Sequence, residues 1–417
     1  MPTPSAVAVL VVTAALILIK LAAELGLAAL NRSAVRKGAA APPASVAAVM
    51  DPPTLAKTVS YTLDKSRFGS VESAFEALVL ALAVFGGLLP PLYGRIAAWG
   101  RPGAAWTGAV FILAAGFLVS VPSLPFAWWE QFRLEARHGF NRTTPALWLA
   151  DRIKGALLAV GIGFPLLWTL LSLARVAGSA WWLWGAGLVL AFQVLMLVLY
   201  PRLILPLFNK LSPLPEGALR ERLLALGERT GFRAAAIEVI DGSKRSAHSN
   251  AFFTGFGRFR RIVLFDTLVS QMEPVELEAV LAHEIGHYRR GHVPKMLALS
   301  SAMVLAGFAA VAWLARSPWF SGAFGFSPGE PAPTFLLFGL LGGLVTFWLA
   351  PLANLLSRRH EYEADAFARD AMGGPGPLVA ALRTLTRRNL GNLTPHPWFG
   401  AFFHSHPTLA ERERALD

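Results

Sequence analysis

What most limits this chain of 417 residues is a recurring apolar stretch long enough to cross a bilayer. One covers about 6–30, and others cover 73–96, 105–129, 155–175, 180–200, 296–315 and 334–356. Each is near the ~20 residues a spanning helix needs. Inside hydrocarbon the backbone must satisfy its own hydrogen bonds, so such runs become helices. The expected fold is a predominantly α membrane protein with about seven transmembrane helices. A composition that is 54% hydrophobic and only 15% charged agrees with this and departs from ordinary soluble domains. The first run follows Met1-Pro2-Thr3-Pro4, which lacks a basic segment, and it is too long for a cleavable signal core. It is therefore read as an uncleaved span. Lys20 and Glu24 inside it share a helix face and are expected to neutralise each other. Pro122 and Pro125 are expected to kink the third span.

Loop charge suggests an orientation. Segments 31–72, 130–154, 201–295 and 357–417 share one side and hold Arg32, Arg36, Lys37, Lys57, Lys65, Arg133, Arg137, Arg142, Arg152, Lys154 and most of the other cations. The opposite loops carry little beyond Arg95, Arg101, Arg175 and Arg316. The positive-inside rule places the basic side, with the C-terminus, in the cytosol and the N-terminus across the membrane. The net charge of +12 is thus assigned to loops, and no nucleic-acid motif accompanies it. The chain divides into 1–200 (five spans and linkers), 201–295 (a soluble insertion), 296–356 (two further spans) and 357–417 (a C-terminal segment). In the insertion, 219–230 has helical spacing of Leu223, Leu224 and Leu226. Segments 237–240 and 261–265 read as short strands, with 248–253 as an edge strand between them.

The insertion ends in His283-Glu284-Ile285-Gly286-His287, an HExxH pattern. Histidines four apart lie one turn from each other, so both rings can grip one metal ion. Glu284 stands where a carboxylate can take a proton from a water polarised there without itself becoming a ligand. Glu273-Pro274 opens the helix that carries them, with acids at its positive end. The chain has no cysteine, so a zinc site must use histidine and carboxylate. A catalytic zinc takes three protein ligands, and the third is sought among His292, His360, Glu361, Glu363 and Asp365. On a continuous helix His292 is half a turn out of phase with His283 and points away. The longer HExxHxxGxxH pattern fails, because Arg290 and Val293 stand at its glycine and histidine. Glu361 and Asp365 share a face, with Glu363 about 200° from Glu361. Spacing leaves open which carboxylate binds metal and which supports a ligand imidazole.

HEIGH, the segment Glu361-Tyr362-Glu363-Ala364-Asp365 and His404-Ser405-His406-Pro407 together resemble the integral-membrane zinc CAAX prenyl proteases. The likeness spans nearly the whole chain. It includes 132–141 (FRLEARHGFN), 206–210, 211–217 (LSPLPEG), 248–253 and 262–267. The resemblance implies one zinc ion per chain, held by His283, His287 and Glu361, with Asp365 supporting the site. It implies Glu284 as the catalytic base, His406 and Arg412 at the scissile carbonyl, and Asn250 on the substrate backbone. It also implies a ring of seven helices around a large water-filled chamber, with a cytosolic zincin-like α+β metalloprotease region.

The function expected from the resemblance is a membrane zinc metalloendopeptidase that cuts near the C-terminus of prenylated proteins or peptides. A quality-control protease with no prenyl requirement would use the same chemistry, but it usually has fewer spans. A channel or transporter with a structural zinc should close its metal with four ligands rather than three plus a base. The expected partners are a peptide substrate and the lipid bilayer. The alanine- and arginine-rich composition fits a GC-rich bacterial source and an inner-membrane location, where protein prenylation is not expected.

Overall fold

The computed structural model describes residues 4–232, 236–254 and 261–417. Among them, seven helices are long and apolar enough to cross a membrane. They are α1 (Ala6–Ala40), α2 (Pro52–Phe85), α3 (Ala105–His138), α4 (Pro145–Val176), α5 (Gly178–Phe208), α8 (His292–Ala315) and α9 (Pro331–Met372). The soluble part adds α6 (Ala218–Arg229), α7 (Pro274–Arg289), α10 (Gly376–Arg388), α11 (Pro397–Phe403) and α12 (Leu409–Leu416). Val7, Val11, Leu18, Leu157 and Trp184 are largely exposed on the spans. Outward apolar side chains of this kind suit lipid better than water.

The seven spans stand as expected, but they are longer than the apolar runs. At 34 and 35 residues, α2 and α1 rise roughly 50 Å against a hydrocarbon core of about 30 Å. The second run, expected at 73–96, breaks at Gly86-Gly87. Gly87 takes φ +67°, and a separate helix, Leu89–Trp99, follows. The third span changes pitch where its prolines fall. A 3₁₀ turn at Val121–Ser123 holds Pro122, a short α segment follows, and Glu130–Glu135 is π-helical. Lys20 and Glu24 pair at 2.7 Å, with Lys20 5.5 Å above the Phe347 ring.

The soluble insertion builds a sheet of order β1-β2-β4-β3 from Leu211–Pro213, Ala236–Ile240, Ala251–Thr254 and Arg261–Phe265, numbered in chain order. β2 and β4 run parallel, and β1 and β3 are antiparallel at the two edges. β3 is thus the edge strand expected near 248–253. β1 falls within 211–217, where the sequence pattern predicts no strand. Leu223 and Leu226 of α6 are buried against Ile262, Leu264, Leu277 and Leu281. Leu224 instead faces outward, 42% exposed. Buried Glu278 of α7 accepts from both Arg222 and Arg229, which pins α6 onto α7.

Candidate active site

Helix α7 starts where the residues dictate. Glu273 caps it, Pro274 occupies the first turn, and Glu276 closes a capping box. It packs against the end of α9, so the HEIGH segment faces Glu361 and Asp365. Gly286 makes the crossing close. A Cβ built there would lie 2.9 Å from both Cα and O of Ala364, which is itself fully buried.

The crossing brings three ligand-type groups together. His283 Nε2 and His287 Nε2 are 3.2 Å apart. His287 Nε2 is 3.2 Å from Glu361 Oε1, and His283 Nε2 is 3.4 Å from Glu361 Oε2. Ligand atoms of these three residues form a group that could hold a metal ion. Two nitrogens bound at ~2.0–2.1 Å to a tetrahedral ion would be about 3.3 Å apart, so the spacing fits. Glu361 is 4% exposed, and its Oε2 is buried without a hydrogen-bond partner. A buried carboxylate oxygen left this way is costly unless a cation answers it.

Around this group the supporting contacts are specific. Asp365 Oδ1 lies 2.8 Å from His283 Nδ1 and is 1% exposed. Arg412, on α12, donates from Nε to Asp365 Oδ2 at 2.8 Å and from Nη2 to Oδ1. Its Nη1 is 3.8 Å from Glu361 Oε2. Thr408 caps α12 through a capping box with Glu411, which holds Arg412 in register. His406 Nε2 lies 3.5 Å from Glu361 Oε1, on a side chain that is largely exposed. Asn250 opens β3, where its Oδ1 accepts from the Ala251 backbone at 2.8 Å. Burial pushes the Glu284 carboxyl above the usual carboxylate range.

A cavity of about 200 Å³ is lined by Asn250, His283, Glu284, Glu361, His406 and Arg412. It shares Ser249, Asn250 and Asn389 with a chamber of about 820 Å³, whose walls include Glu24, Lys65 and Ser73 of the spans. All the residues singled out from sequence therefore converge on one place.

His292 corrects the reading of phase. The helix stops at Gly291, which takes φ +66°, and α8 starts with His292. The chain doubles back, so His292 Nδ1 sits 2.9 Å from His287 Nδ1 instead of pointing away. It lies outside the ligand group. Its Nε2 meets Glu363 Oε2 at 3.1 Å, and His360 stacks on its ring at 4.1 Å. Both His292 and Glu363 were weighed as the third ligand, and neither was assigned a contact behind His287. The signal available was the Gly291 stop followed by Pro294. Asn389 was also missed. It tethers the approach to β3, accepting from Ser249 N at 3.0 Å and donating to Ser249 O at 3.1 Å.

Comparison with known proteins agrees with this geometry. Residues 31–210 match the model of the CAAX prenyl protease N-terminal region with five membrane helices, and 213–417 match peptidase family M48. The CAAX prenyl protease 1 homolog of Oryza sativa is 34% identical over 86% of this chain and 86% of its own length. CAAX prenyl protease 1 of Saccharomyces cerevisiae is 33% identical, covering 88% of this chain and 86% of its own. The crystal structure of S. mikatae Ste24p superposes with a TM-score of 0.91 at 30% identity, covering 98% of this chain and 99% of that one. M48 peptidases use a metal ion, and the His283, His287 and Glu361 group suits one. The chain belongs to the M48 peptidases and is a multi-pass membrane metalloendopeptidase of the CAAX prenyl protease type.

Proposed function

We propose that the protein is a zinc endopeptidase that cuts near the C-terminus of prenylated proteins or peptides. The observation that carries this reading is the cavity joining His283, Glu361, Glu284 and the start of edge strand β3, which shares Ser249, Asn250 and Asn389 with a chamber among the spans. Zinc held by His283 Nε2, His287 Nε2 and Glu361 would supply Lewis acidity to the scissile carbonyl and to the attacking water. Glu284 takes one proton from that water as it attacks, then delivers it to the leaving amine nitrogen. Burial, which raises the Glu284 pKa, suits a group that must hold the proton between those two steps. His406 Nε2 and the one Arg412 nitrogen not engaged by Asp365, Nη1, would donate to the developing oxyanion. Such donors contribute about 3 kcal/mol each.

The substrate would lie extended along β3, which among the described residues pairs with β4 on one side only, and Asn250 would hold its backbone. Apolar outer faces on the spans and a chamber within them lined by both apolar and polar side chains suit a substrate with an apolar anchor and an extended peptide. Loop charge supports a cytosolic site and C-terminus, and the alanine- and arginine-rich composition supports a bacterial inner membrane. A reporter on the C-terminus active only outside the cytosol would refute that orientation.

The test is cleavage of a farnesylated peptide and its unmodified twin by protein stripped with chelator and reloaded with zinc. The expected result is zinc-restored cleavage that strongly prefers the farnesylated peptide. Equal rates would instead favour a quality-control protease indifferent to the lipid.

A further inference from the structure

We propose that Glu363 and His292 form a relay that fixes the tautomer of His287 and thereby sets how tightly the site holds its metal. The inference rests on His283, His287 and Glu361 being the metal ligands. A neutral imidazole carries one N–H, so each ring in the chain has only one donor to place. Glu363 accepts at His292 Nε2, 3.1 Å away. That puts the His292 proton on Nε2 and leaves its Nδ1 as an acceptor. His287 Nδ1, 2.9 Å from it, must then be the donor. The remaining His287 nitrogen, Nε2, is left with a bare lone pair, and this is the atom that faces His283 Nε2 and Glu361 Oε1 at 3.2 Å. The opposite tautomer would turn an N–H toward the metal position and abolish ligation.

The parts of this relay are held in place. His292 is 3% exposed and lies flat against His360, with rings 4.1 Å apart and 14° from parallel. Glu363 accepts from Arg359 Nε at 3.2 Å and lies 3.8 Å from Lys295 Nζ, so its carboxylate is kept as an acceptor. The other ligand, His283, has a direct version of the same device. Asp365 accepts at its Nδ1, and Arg412 holds Asp365. One ligand ring is therefore set by a carboxylate in contact and the other by a carboxylate acting through a third ring. His292 and Glu363 are positioning residues, since they act through His287.

The test measures zinc affinity of the full-length protein in detergent, by competition with chelators of graded strength. His292→Leu should weaken zinc binding by about 10–100-fold, the range for lost partners of metal-bound histidines. His292→Asn places an amide oxygen near the position of Nδ1, so it keeps the acceptor and should stay within about threefold of the wild type. Glu363→Leu, at a partly exposed position, should cost about tenfold. Wild-type affinity in both leucine variants would overturn the relay, as would His292→Asn binding as weakly as His292→Leu. If His292→Leu fails to fold, His292→Asn and Glu363→Leu still decide the matter. Glu361→Ala separates the two readings. Loss of zinc there, with retention in the leucine variants, overturns only the relay, whereas retention of zinc in Glu361→Ala overturns the site itself.

Discussion

The metal-type site and the Lys65–Ser73 wall of the neighbouring chamber hold their polar groups in different ways. At the site, Glu361, Asp365, His283 and Arg412 are each less than a tenth exposed, and their polar atoms converge on one another. On one wall of the chamber, Lys65 and Ser73 line open space, and Lys65 is half exposed with only long contacts, 3.4 Å to Tyr61 Oη and 3.5 Å to Glu135. Buried polar groups lose heavily when one partner is removed, whereas exposed pairs contribute little. The difference teaches that precision is concentrated in the reaction, while the route to it tolerates variation in what enters.

The strongest way to break this contrast is Glu284→Gln. It should lower kcat by about 10³-fold, since proton transfer is lost while the metal ligands stay in place. Zinc content measured beside turnover checks it, and a variant that keeps its rate removes Glu284 as the base. Next comes Arg412→Leu, which removes the guanidinium from buried Asp365 and leaves it only the contact to His283 Nδ1. Loss of stability by about 3 kcal/mol is expected, read as a lowered thermal midpoint.

A smaller effect concerns pH. Burial alone would lower the His283 pKa, but its hydrogen bonds to Asp365 and Glu361 outweigh burial and push it up to about 9. A metal must displace that proton. Affinity should therefore rise with pH up to about 9 and fall by up to about tenfold per unit below it. A titration of zinc affinity that stays flat from pH 6 to 9 would contradict this. The smallest effect sharpens the other side of the comparison. Ser73→Ala in the chamber should change stability by less than about 0.5 kcal/mol and leave kcat within about twofold. A large loss there would mean the chamber is as exacting as the site.

Much of this was legible before the fold was known. Apolar runs reveal spans because hydrocarbon leaves the backbone no other choice. HEIGH reveals the histidine pair because it places two imidazoles one helical turn apart, whereas Glu361 was chosen from the 361–365 segment by the resemblance and not by spacing. The rest depended on interruptions and on distant contacts. Phase arguments assume an unbroken helix, so Gly291 carried His292 to the wrong side of the argument, and Gly86-Gly87 displaced the second span. β1 is held by pairing with β2, which no local pattern in 211–213 announces. Arg412 reaches His283 across 129 residues at 3.3 Å. Only the resemblance pointed to Arg412, and its grip on Asp365 emerged from the fold.

The close approach of Gly286 to Ala364 has a consequence for which residues position 286 can hold. These two small residues act as a gauge block between the helices that carry the ligands. An added methyl at 286 would spread the helices and move Glu361 away from both imidazoles together. The atoms met are Ala364 backbone, so no side-chain change at 364 makes room, and position 286 must stay glycine. The fourth letter of HEIGH thus sets the distance between the ligand-bearing helices, though it never touches the chemistry.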